Sequence, residues 1–147
     1  MANIIPNIFY YDQAKKLIDF ENDDMKVALL NKTYNECTLR NAISYDDFIA
    51  DEVPALYGYP QGGFPIGGKT VTIDSDKNEV VYDINDFGMI VSGGTFGPVR
   101  YAMVYNQSNN NHLVYIFDLE EDKTVNDGAE FKIKINDNGL MTAKQLV

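Results

Sequence analysis

The chain of 147 residues contains one cysteine, one histidine and no tryptophan. Cys37 alone closes no disulfide within the chain, so the fold must hold by burial and hydrogen bonding, as in a reducing compartment. His112 is the only imidazole, and no nucleophile elbow surrounds any serine, so no catalytic residue is assigned. Basic residues are also scarce: 12 Lys and Arg are scattered among 22 Asp and Glu, for a formal net charge of −10. Phosphate backbones and anionic bilayers are both bound by clustered cations, so neither nucleic acid nor a membrane is expected as a partner. No apolar run reaches the roughly 18 residues that a spanning helix needs. The start, Met1-Ala2-Asn3-Ile4-Ile5-Pro6, lacks the basic and then apolar regions of a secretory leader, which makes a cytoplasm the expected place of synthesis. The sequons Asn31-Lys32-Thr33 and Asn106-Gln107-Ser108 are then read as chance.

What is present is ordinary for a globular protein: 45% hydrophobic and 23% charged residues. That size and composition predict one domain over 1–147, with an N-terminal arm and helix over 1–24 and a β-sandwich over 25–147. The aromatic set is 10 Tyr and 8 Phe, and tyrosine suits both sheets and wet interfaces. Residues 7–19 are the best helix, with Tyr10, Ala14, Leu17 and Ile18 on one face at helical spacing. Met25–Leu30 reads as a buried strand. Ser44 to Val53 reads as a second, short helix, opened by Ser44 and Asp47 and stopped by Pro54. The loop Tyr57–Gly68 holds five glycines and two prolines yet is apolar. From Lys69 the pattern is β: Thr70–Ile73, a turn over Asp74–Asn78, Glu79–Ile84, Asp86–Val91, a glycine turn at Gly93-Gly94, Arg100–Tyr105, a polar turn over Asn106–Asn111, and His112–Phe117. A last hairpin joins Glu130–Ile135 to Leu140–Thr142 through Asn136-Asp137-Asn138-Gly139. Short strands with frequent turns and little helix predict a mainly β fold. It is an antiparallel β-sandwich or open barrel with an N-terminal helix and one short additional helix.

Several motifs pose as chemical sites. Gly63-Phe64-Pro65-Ile66-Gly67-Gly68-Lys69-Thr70 matches the P-loop pattern letter for letter. A P-loop works because a helix starting at the Lys and Thr aims N–H groups at phosphates, whereas here Val71-Thr72-Ile73 is β-branched and alternating. Asp86-Phe87-Gly88 spells a kinase triplet in a chain too short for that fold. Asp74-Ser75-Asp76 opens like a calcium loop, but its sixth position is Glu79 and not Gly, so a hairpin turn is expected. Glu120-Glu121-Asp122 reads as a solvated acidic turn, with weak calcium binding as the minor alternative. No cofactor, no metal and no enzymatic activity is therefore expected. Arg100 opens an otherwise apolar strand; it pairs within the domain, for which Asp86 is a candidate, or across a subunit contact.

In chain order, Lys26-Val27-Ala28-Leu29-Leu30, Ile49-Ala50-Asp51-Glu52-Val53, Gly58-Tyr59-Pro60-Gln61-Gly62-Gly63, Gly93-Gly94, Arg100-Tyr101-Ala102-Met103-Val104-Tyr105 and Asn138-Gly139-Leu140 form a set spanning about residues 7 to 142. As a set they resemble a family of small virion structural proteins of tailed bacteriophages. The resemblance implies a β-sandwich component made in the bacterial cytoplasm and assembled into a virion. The first role implied is capsid decoration or cement, bound to the major capsid protein or other virion proteins and to copies of itself. The alternative is a tail- or fibre-associated module binding host or glycan. The residues expected to make contacts are Ile4, Ile5 and Phe9 of the arm, Tyr57, Tyr59, Phe64, Pro65 and Ile66 of the apolar loop, and Arg100.

Overall fold

The structure is a computed structural model that describes residues 3–144, so Met1 and Ala2 of the expected arm lie outside the described residues. The fold is mainly β, with antiparallel sheets that do not close into a barrel. In chain order it comprises α1 (Asn7–Ala14), β1 (Met25–Leu30), α2 (Glu36–Arg40), a 3₁₀ segment (Tyr45–Asp51), β2 (Phe64–Pro65), β3 (Thr70–Asp74), β4 (Glu79–Asp83), β5 (Phe87–Ile90), β6 (Phe96–Asn106), a 3₁₀ turn (Gln107–Asn109), β7 (His112–Val125), β8 (Glu130–Ile133) and β9 (Met141–Lys144). The strands make a four-stranded sheet β2-β1-β6-β7, a three-stranded sheet β3-β4-β9 and a two-stranded sheet β5-β8.

The four-stranded sheet is buried on both faces along β1, the second half of β6 and the first half of β7, which is why those segments are apolar at nearly every position. One face, with Val27, Leu29, Ala102 and Val104, shares a core with Phe87 and Phe131 of the two-stranded sheet and Met141 of the three-stranded one. The other, with Ala28, Leu30, Tyr101, Met103 and Tyr105, is covered by Ile4, by Leu39 of α2 and by Tyr45 and Phe48 of the 3₁₀ segment. The run Leu113–Phe117 does not alternate cleanly because a bulge interrupts β7. Val104 pairs with Tyr115 and Tyr105 with Leu113, leaving Val114 as the extra residue. The Asn-rich turn before β7 places Asn110 and Asn111 at φ 53° and 58°, a left-handed conformation that Asn tolerates better than most side chains.

Two sequence expectations are corrected, and one element is absent from the sequence reading. Helix α1 ends at Ala14, and Lys16 at φ 59° turns the chain away, so Leu17 and Ile18 never join its face. Its buried positions are Phe9 and Asp12, while Tyr10 and Leu17 are exposed. The two C-terminal strands do not pair with each other. β8 pairs with β5 and β9 with β4, because the Asn136–Gly139 turn passes the chain from one sheet to another. Finally, α2 carries a single buried residue, Leu39, and so gives no apolar stripe; its signal is the Asn35 cap, whose side chain accepts the Thr38 N–H at 2.8 Å.

Candidate functional site

The apolar loop is core. Gly63, at φ +100°, lies so close to β1 that an added Cβ would sit 1.9 Å from the Val27 carbonyl oxygen. That approach lets Phe64 and Pro65 pair with Val27 and Lys26 as β2. Tyr59, Phe64 and Ile66 are consequently buried against the sheet. Beyond β2 the edge of β1 is closed by other means: the Val53 N–H donates to the Leu29 carbonyl at 2.9 Å, and the Leu29 N–H donates to the Tyr59 hydroxyl at 3.0 Å. Glu52 gathers this region. It accepts the Tyr59 hydroxyl at 2.5 Å, the Gly62 N–H at 3.0 Å and the Tyr45 hydroxyl. Tyr45 stacks on Tyr105 with centroids 4.1 Å apart, and Tyr105 donates to the Gly62 carbonyl at 2.5 Å. Burial, then the hydrogen bond to Glu52, hold the Tyr45 and Tyr59 phenols well above their ordinary range; burial pushes Tyr105 up to about 12. Burial and the bond to Asp51 likewise raise Tyr34.

The placement of the expected contact residues follows from this packing. Ile4, Phe9, Tyr59, Phe64 and Ile66 are buried within the chain's own core, so the contact role expected for them is corrected to a packing role. Ile4 bridges to Ile116 of β7, which ties the N-terminal arm to its own sheet. Ile5 and Tyr57 are half-buried, and Pro65 is exposed. The Tyr57 ring lies over Gly94, where a Cβ would come within 2.5 Å of it. Arg100 is paired inside the chain, but with Asp118 at 3.2 Å and not with Asp86. The Asp118 carboxylate holds its guanidinium above the ordinary value. Asp86 accepts the Ile135 N–H at 2.7 Å instead.

The chemical look-alikes resolve as structure. Lys69-Thr70 leads into β3 and not into a helix, so no N–H cradle forms there. In the kinase-like triplet Phe87 is core, and Gly88 is held against the Phe131 carbonyl of β8. Asp74 accepts the N–H groups of Asp76 and Lys77, both at 3.1 Å, as the head of a hairpin turn. His112 joins a fully buried Asp12. Its Nδ1 lies 2.9 Å from Asp12 Oδ2, which also accepts from Asn109 at 2.9 Å, fastening α1 to the start of β7. Among the described residues no group of three or more His, Cys, Asp or Glu is arranged to hold a metal ion, and no helix is long and apolar enough to cross a membrane.

The surface left for a partner differs from the one the sequence pointed to. Its large exposed apolar side chains include Tyr10, Tyr11 and Leu17 near α1, Leu56 before the apolar loop, Ile90 at the end of β5, and Ile73 on β3. Tyr10 and Leu17 were hidden from sequence reasoning by their helical spacing, which assigned them to the core. No family model matches the chain, and no curated protein or solved structure matches it.

Proposed function

We propose that the chain is a non-enzymatic structural protein of a tailed-phage virion. In this reading it is a capsid decoration or cement protein that binds the major capsid protein and neighbouring copies of itself in many copies. The observation that carries the reading is the ordered set of segments from Lys26–Leu30 to Asn138–Leu140, which resembles that family over nearly the whole chain. The physical character of the molecule supports it. A lattice protein has to be rigid, and here one sheet is buried on both faces. Its conspicuous polar groups are spent on internal closure: Glu52 on three donors, Asp12 on Asn109 and His112, and Arg100 on Asp118. The net charge of −10 keeps unassembled copies soluble. Weak individual contacts suffice in such a role, because neighbouring copies raise the effective concentration of each site.

Quantitative gel analysis of purified particles tests this. Decoration predicts a copy number comparable to that of the major capsid protein. About six or twelve copies would move the chain to the tail or neck, where a ring symmetry sets the count. Its absence from the particle would end the virion reading.

A further inference from the structure

The outer edge of β3 carries two features that fit each other. Antiparallel strands direct the N–H and C=O of alternate residues to opposite neighbours. The Val71 N–H donates to the Glu21 carboxylate at 3.0 Å, so Val71, and with it Ile73, faces outward, while Thr70, Thr72 and Asp74 face β4. The Ile73 side chain is 82% exposed, the highest value among the exposed large hydrophobics. On the same face of the sheet, beside Val71, lies a groove of about 370 Å³ lined by Ile18, Phe20, Val71 and Tyr82 together with the polar Gln13, Asp19 and Glu21. Knob and hollow are therefore two residues apart along one open strand edge.

The geometry points to a second copy of this chain as the occupant of that edge. A two-fold axis through Thr72, perpendicular to the sheet, pairs β3 with β3 of the other copy antiparallel. Val71 then lies opposite Ile73 of its mate, and the reverse. This register keeps the apolar faces on the same side and brings each Ile73 side chain to the other copy's groove. It also brings opposite charges together. Lys69 precedes the strand, while Asp74 ends it and Asp76 follows, so in the antiparallel pair each Lys69 meets the acidic end of its partner. Unlike many natural edge strands, Thr70–Ile73 carries no lysine, proline or inward charge to discourage pairing. Its one guard is Glu21, which occupies the Val71 N–H and must let go before the strands join. The inference rests on the edge geometry and not on the virion reading.

The test uses the purified full chain alone, so its outcome is independent of any particle. Sedimentation velocity over a concentration series should show a monomer–dimer equilibrium. Ile73→Lys should abolish it while leaving the melting temperature nearly unchanged, because that side chain is exposed. Glu21→Ala should tighten the dimer at least about tenfold, since one competing hydrogen bond to the Val71 N–H is removed from each copy. In a Cys37→Ser background, Thr72→Cys should crosslink on oxidation, because Thr72 faces its own copy across the axis. The inference is overturned by a monomer at every concentration up to roughly 1 mM, by a dimer indifferent to Ile73→Lys, by weaker association in Glu21→Ala, or by failure of Thr72→Cys to crosslink.

Discussion

Raising the pH should unfold this protein through three phenols. Tyr45, Tyr59 and Tyr105 are buried around Glu52, and burial holds all three protonated above the ordinary tyrosine value near 10, Tyr105 to about 12. In the unfolded chain the same phenols ionise near pH 10. Below that pH both states hold the protons, and the native state keeps its full stability. Above it the unfolded state releases protons that the native state retains, so stability falls as pH rises. Each retained proton contributes a slope of about 1.4 kcal/mol per pH unit, and three give roughly 4 kcal/mol per unit. Against a total stability of about 5–15 kcal/mol, two units above pH 10 consume between about half and all of it. Tyrosinate absorbance and far-ultraviolet circular dichroism, followed together, read this out. The buried three should ionise only in one cooperative step, coincident with loss of the sheet signal, between pH 10 and 12. Tyr59→Phe should already cost about 1–3 kcal/mol at neutral pH, because it strips a donor from Glu52 and leaves the Leu29 N–H unpartnered. Smooth titration of every phenol near pH 10, with the circular dichroism unchanged, would refute the reasoning.

Two further outcomes test the packing of the apolar loop. Gly63→Ala should cost more than about 4 kcal/mol in chemical denaturation, since its Cβ would meet the Val27 backbone at 1.9 Å. Gly128→Ala, with a comparable φ of +85° but open space around it, should cost only about 1–2 kcal/mol. Phe64→Ser should lower the thermal midpoint sharply, by the equivalent of roughly 3–5 kcal/mol, whereas Leu56→Ser on the surface should stay within about 0.5 kcal/mol. Equal effects at the two positions would show that the loop is a surface arm after all.

The strands were legible where local pattern and long-range pairing agree. β1, β6 and the first half of β7 stand out as apolar runs because their sheet is covered on both sides. The turns before β4 and β7 stand out because Asp74, Asn110 and Asn111 suit bends. What failed was anything decided across the chain. The hairpin expected between Glu130–Ile135 and Leu140–Thr142 obeys every local rule, yet each strand finds a better mate, β5 or β4, some forty to sixty residues earlier. The inner face of α1 failed for a related reason. An amphipathic reading places apolar residues inward, but Asp12 is buried because Asn109 and His112, about a hundred residues later, supply its partners.

Contact residues were the least legible of all, and β3 shows why. Val71 and Ile73 alternate with Thr70 and Thr72 and do share one face, as the period-two pattern requires. The pattern fixes a face but not its extent. Val71 pairs with Tyr82, which pairs with Met141, and that row packs on the core. One step along, Ile73 pairs with Val80, which pairs with Ala143, and here Ile73 is 82% exposed. Two chemically similar side chains, two residues apart, thus have different fates because of where the neighbouring layer ends. The apolar loop is the converse case. Its Tyr59, Phe64 and Ile66 look like a contact arm in sequence and become interior only because Gly63 lets the backbone reach β1. In both places apolar character identifies what must be covered, while the reach of the rest of the chain decides whether the chain itself does the covering.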